Sequence, residues 1–115
     1  MQTRITVKTG AVLLALFAAA SVGVAWADAP DVLIVIKNNR FEPTEVKVPA
    51  NQRVKLVVHN QDASAEEFES HQLNREKIVP ANAKVSIFIG PLKPGRYAFW
   101  GEYHMDTAKG VVVAQ

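Results

Sequence analysis

The stretch Phe41-Glu42-Pro43-Thr44-Glu45-Val46-Lys47-Val48-Pro49-Ala50-Asn51-Gln52-Arg53-Val54-Lys55-Leu56-Val57-Val58-His59-Asn60 decides the fold class. Val46 and Val48 alternate with Glu45 and Lys47. That is the period of a half-buried strand, because successive side chains of extended backbone point to opposite faces. Pro49-Ala50-Asn51 interrupts the pattern with turn-forming residues. Alternation resumes from Arg53 to His59, with Val54, Leu56 and Val58 on one side and Arg53, Lys55 and Val57 on the other. Asn60-Gln61-Asp62 breaks it again.

The flanks continue in the same way. Upstream, Val32-Leu33-Ile34-Val35-Ile36 is a continuous β-forming run, expected to be a strand buried on both faces. Asn38-Asn39-Arg40 follows as a turn. Downstream, Asp62 to Leu73 is polar and acidic and reads as a loop with a short strand around Phe68. Lys77 to Pro80 is short and extended, and Lys84 to Ile89 alternates, with Val85, Ile87 and Ile89 together. Pro91-Leu92-Lys93-Pro94-Gly95 is a turn in which Pro94 presets φ and Gly95 is expected at positive φ, the type II arrangement. Tyr97 to Trp100 and Val111 to Val113 are the last strands. Tyr97 is expected to bond back to the preceding turn as a corner tyrosine. Short helical pieces are expected only near Ser64–Glu67 or Asp106–Ala108. About seven short strands with turn signals and no helical period predict an all-β class, a small antiparallel β-sandwich.

The first residues have a different character. Arg4 and Lys8 precede a 14-residue apolar run from Ala11 to Val24, and Ala25-Trp26-Ala27 is a small-x-small triplet. This reads as a secretory signal peptide over residues 1–27, cleaved after Ala27. The run is shorter than the roughly 20 residues of a spanning helix, so no membrane anchor is expected. The domain is then 28–115, 88 residues with 11 basic and 11 acidic side chains. The basic pI of the whole chain, about 9.0, belongs to the leader, and no nucleic-acid partner is expected. The expected location is the periplasm.

The chain has no cysteine. That excludes a disulfide scaffold, a thiolate nucleophile, a Cys-based zinc site and an iron–sulfur cluster. It also excludes an ordinary blue copper centre, whose thiolate is obligatory. No Ser–His–acid pattern or hydrolase motif is present.

Several pieces in order resemble a family. They are Phe41-x-Pro43-x-x-Val46-x-Val48-Pro49-Ala50 with Val54, Asn60-x-Asp62, Glu66-Glu67-Phe68, Leu92-x-Pro94-Gly95-x-Tyr97-x-Phe99, His104, and Gly110-Val111-Val112-Val113. This is similar to the cupredoxins, and most to the small periplasmic cupredoxin-like proteins that accompany Ftr-type bacterial iron permeases, related to the cupredoxin domain of EfeO. The segments EEFESHQLNREK and FWGEYHMDTAKG carry the closer match. The resemblance implies a Greek-key sandwich with both acidic segments at one end, around the usual metal position. It puts Glu66 where an ordinary cupredoxin has its first His ligand, Gly101 where it has Cys, and Ala108 near the axial Met. Only His104 is retained.

Asp62, Glu66, Glu67, Glu69 and His71 lie in one acidic segment, and Glu102, His104, Met105 and Asp106 in the other, with no Lys or Arg among them. If the segments meet, their charges repel unless a cation neutralises them. Oxygen and imidazole donors suit Cu(II), Fe(II), Mn(II) or Zn(II) and disfavour Cu(I). Extended alternation would put Glu67, Glu69 and His71 on one face, and Glu102, His104 and Asp106 on another. The expected metal site is Glu67 with His104, assisted by Glu102, Glu69 and Asp106. Glu66 is the alternative, and His71 and the weak ligand Met105 stand beside them. His59 reads as structural, and Asn74-Arg75-Glu76-Lys77 as a mixed-charge strip. The resemblance implies a copper or iron ion, an inner-membrane iron permease and other periplasmic components of that system as partners, and a role in ferrous iron oxidation and uptake. An electron-transfer cupredoxin, or an interaction module that has lost its metal, are the alternatives.

Overall fold

The structure is a computed structural model that describes residues 2, 3 and 29–115. Apart from residues 2 and 3, the expected signal peptide lies outside the described residues. Among them are nine strands: β1 (Asp31–Lys37), β2 (Arg40–Glu42), β3 (Glu45–Val48), β4 (Val54–Asn60), β5 (Glu66–Ser70), β6 (Arg75–Val79), β7 (Lys84–Ile89), β8 (Gly95–Gly101) and β9 (Lys109–Ala114). One 3₁₀ turn spans Glu102–His104. The sheets run β2-β1-β4-β7 and β3-β9-β8-β5-β6.

The sandwich is mixed rather than purely antiparallel. β1 pairs with β4, and β3 with β9, in parallel. The run Val32–Ile36 is buried on one face only: Ile34 and Ile36 are in the core, while Leu33 is 55% exposed. An all-aliphatic strand thus obeys the two-residue period that its composition hides. Nine strands replace the expected seven or so, because the three-residue β2 pairs with β1 right after the Asn38–Asn39 turn.

That turn has both central residues at positive φ, 52° and 57°. This is the geometry of a two-residue hairpin whose twist matches its strands, and asparagine tolerates it. The Asp62 carboxylate accepts the Asn38 and Asn39 N–H groups at 2.8 and 2.9 Å. Gly95 does not take the positive φ expected of it. It opens β8 opposite Ala114, and the positive-φ glycine of this connection is Gly90, φ 85°. Tyr97 does bond back as expected, its hydroxyl donating to the Lys93 carbonyl at 2.8 Å.

The core lies between the sheets. Phe41, Phe68 and Phe99, each at most 1% exposed, form its centre near the β5–β8 end. Phe99 lies 4.9 Å from Phe41 and 5.0 Å from Phe68 between ring centroids. Asn60, wholly buried, donates to the carbonyls of Ser64 and Val79 and accepts the Asp62 N–H. It fixes the approach of the chain to β5.

Candidate metal centre

The first acidic segment is a strand. β5 pairs with β6 over its whole length and with β8 at Phe68 and Glu69. No helix forms at Ser64–Glu67. Alternation sends Glu66, Phe68 and Ser70 inward, and leaves Glu67 and Glu69 half-buried on the outer face. The second segment departs from the expected alternation. After Gly101 the backbone turns into the 3₁₀ helix, where side chains fan out at about 120° per residue. Glu102, His104 and Asp106 therefore share no face. The chain turns because the Tyr103 N–H donates to Glu66 at 2.9 Å, and the His104 carbonyl accepts the N–H groups of Thr107 and Ala108. Thr107 also donates its hydroxyl to the Asn39 carbonyl at 2.6 Å, tying this loop to the β1–β2 turn.

The acidic residues divide into an inner and an outer group. The inner group is a pair. Glu66, 1% exposed, accepts the Glu67 and Tyr103 N–H groups on Oε1, and its Oε2 lies 2.5 Å from His104 Nδ1. The expected partner of His104 was Glu67; the structure brings Glu66 to it instead. Gly101 and Ala108 lie against this pair. A Cβ at position 101 would lie 2.5 Å from Glu66 Cδ and 2.7 Å from Ala108 Cβ.

The outer group is Glu67, Glu69 and Glu76, whose carboxylate oxygens come within 4.8 Å of one another. Glu76 stands directly across from Glu69 on β6. Sequence reasoning missed it by treating residues 74–77 as a surface strip. The available signal was a hairpin: two extended segments joined by a short turn, with register opposing 69 to 76. Glu67, by hydrogen bonding and by its charge, holds the Glu76 carboxyl above the usual carboxylate range, with loss of solvation and the charge of Glu102 adding to it. Tyr103 is raised above the ordinary tyrosine value by loss of solvation, then by the charge of Glu67 and a hydrogen bond to it, and by the charges of Glu66 and Glu76. Its phenol therefore stays neutral beside the carboxylates.

Other donors surround this group. Trp100 Nε1 donates to Glu102 Oε2 at 2.7 Å and fixes that carboxylate. His71 lies 3.6 Å from Glu69 and packs edge-on against Trp100, 4.9 Å between centroids. Met105, half-exposed, lines a shallow apolar groove with Ala98, Phe99, Trp100, Lys109 and Gly110. Asp106 sits in the exposed turn after the 3₁₀ helix, and Asp62 is occupied by the β1–β2 turn. Neither belongs to the outer group.

Comparison with known proteins gives one family. The model of the cupredoxin-like domain matches residues 7–114. An uncharacterized protein of Rickettsia prowazekii (strain Madrid E) is 46% identical over 83 residues, which are 72% of this chain and 66% of that protein. The chain thus spans just under two thirds of that relative's length. Among solved structures, auracyanin A, a "blue" copper protein of Chloroflexus aurantiacus, superposes with TM-score 0.65 at 17% identity, covering 76% of this chain and all of that one. The metal-binding domain of the Cu(I)-exporting P-type ATPase CopA of Streptococcus pneumoniae D39 gives 0.67 at 14%, covering 76% of this chain and 88% of that one. Amicyanin of Paracoccus versutus gives 0.59 at 16%, covering 77% of this chain and 83% of that one.

Proposed function

The chain belongs to the cupredoxin-like domain family, and on that premise we propose that it is a periplasmic metal-binding member with a carboxylate site, an accessory of ferrous iron oxidation and uptake through an inner-membrane iron permease. The carrying observation is the approach of Glu67, Glu69 and Glu76 to within 4.8 Å of one another. Three carboxylates so placed repel one another when ionised. A cation converts that repulsion into attraction. Glu102 and His71 supply further donors at the rim.

A thiolate copper centre does not fit. The positions matched to its ligands hold Glu66, Gly101, His104 and Ala108, and the two that carry donor atoms are bonded to each other. The outer donors are oxygen and imidazole, suited to Cu(II) or to iron. In this reading iron is the cargo. An anionic oxygen set stabilises Fe(III) over Fe(II), so it lowers the iron potential and favours loss of one electron to an acceptor, a copper ion or a component downstream. The signal peptide expected over residues 1–27 supports a periplasmic location, where such cargo would be met.

The test is calorimetric titration of the full chain with Cu(II), and with Fe(II) under anaerobic conditions. One ion per chain is expected, without an intense thiolate-to-copper absorption. Glu67→Gln and Glu76→Gln should each weaken binding at least about tenfold, the loss of one charge-assisted contact. Equal affinity in all three proteins would overturn the proposal.

A further inference from the structure

We infer that the Glu66 carboxylate occupies the place where this fold holds a buried metal, so that the inner position is closed by a carboxylate–imidazole pair and His104 is turned to present Nε2 outward. This deepens the reading above, since it fixes which side of the β5 backbone an ion is held on, but it stands on a different set of residues.

The argument begins with burial. A carboxylate 1% exposed persists only when its lone pairs are satisfied. Glu66 has three donors: the Glu67 N–H at 3.0 Å, the Tyr103 N–H at 2.9 Å and His104 Nδ1 at 2.5 Å. No buried side-chain polar atom among the described residues lacks a partner. The carboxylate also takes up the room. It fills the volume that a side chain at position 101 would need, with its Cδ 2.5 Å from where that Cβ would stand. The large residue at 66 and the small ones at 101 and 108 are thus one packing solution. An ion bonded to both Glu66 and His104 at roughly 2.0–2.2 Å would hold their N and O atoms about 3 Å or more apart. They are 2.5 Å apart and bonded directly.

With Nδ1 committed inward, Nε2 lies on the opposite edge of a ring whose side chain is 28% exposed. A carboxylate behind an imidazole fixes the tautomer and the ring direction, the arrangement that orients ligand histidines from outside the coordination sphere. Glu66 is therefore a positioning residue for His104.

Nitrogen-15 NMR of the full chain tests this, with Zn(II) and Cu(I) as diamagnetic probes. In the metal-free protein His104 should be the Nδ1–H tautomer, with a strongly downfield N–H resonance exchanging slowly with water. That resonance should persist through an excess of either ion. Its loss on metal addition, with Nδ1 taking the shift of a metal-bound nitrogen, overturns the inference and leaves the outer carboxylate reading standing. Persistence without any metal binding supports the closed position and removes the outer reading instead. In Glu66→Gln the Nδ1–H exchange should quicken about tenfold or more, as loss of a charge-assisted bond implies. The wild-type titration decides the matter even if that variant fails to fold.

Discussion

Glu76 is exposed on β6, and its titration is governed chiefly by a neighbour across the strand pair. Its pKa is raised, first by the hydrogen bond and charge of Glu67. The folded state therefore binds this proton more tightly than the unfolded chain does, and stability falls as pH rises through the carboxylate range. Glu76→Gln keeps a hydrogen-bonding amide and removes the charge. It should raise the thermal midpoint of the metal-free protein at neutral pH, with the gain vanishing below about pH 4, where the unfolded carboxyl is itself protonated. A midpoint that is unchanged at neutral pH would contradict this. The place of Glu76 was missed because the segment Asn74–Lys77, taken alone, shows its charge and not the hairpin register that sets Glu76 against Glu69. Glu66, by contrast, was legible as the residue in place of a ligand. What the sequence could not give was its bond to His104, because a 3₁₀ turn moves His104 off the face that strand alternation assigns it.

At the level of elements, alternation was enough for β3, β4 and β7, whose inward side chains lie in the core or pack against it. The short strand expected around Phe68 is β5, which joins β6 to β8. Alternation failed at Glu102–His104, a short polar segment whose conformation is set by a distant partner, Glu66. The same logic governs the β1–β2 turn. Two left-handed asparagines are held by Asp62, more than twenty residues away, and Thr107 of the site loop bonds the same turn. Asp62→Ala should cost about 1–2 kcal/mol, the loss of two hydrogen bonds to a charged acceptor at a partly exposed site, read from the urea midpoint. Because Thr107 shares the turn, the amide of Thr107 should show faster hydrogen exchange in that variant. An unchanged rate would mean that the two loops are not coupled.

At the scale of the whole molecule, metal and fold stability are linked. An ion that binds only the folded protein, present at a hundredfold above its dissociation constant, adds about 2.7 kcal/mol. For a domain of roughly 60–100 residues that corresponds to a rise on the order of 10 °C or more in the thermal midpoint. Glu67→Gln should reduce the rise, while Asp106→Asn, outside the outer group, should retain it. A full shift in Glu67→Gln would place the ion elsewhere. The class, the sandwich and the family were legible because they rest on many weak, repeated signals. The mixed parallel pairing was not, since it depends on how two sheets close over one core rather than on any single run of residues.

One position on the rim of the five-stranded sheet bears on how copies of this chain behave toward each other. Lys77 pairs in register with Phe68, which lies wholly in the core, yet Lys77 itself is exposed because β6 is the outermost strand. An ammonium on the core-facing side of an open edge strand is unfavourable to bury, and so it opposes the addition of a further strand from another molecule. Next to it Ile78 is 53% exposed, which makes this edge adhesive without the charge. Lys77→Val should leave the monomer folded and increase light scattering at high concentration. The lysine thus acts as a guard against polymerisation, and it would let the protein reach concentrations at which a bare edge would grow into fibres.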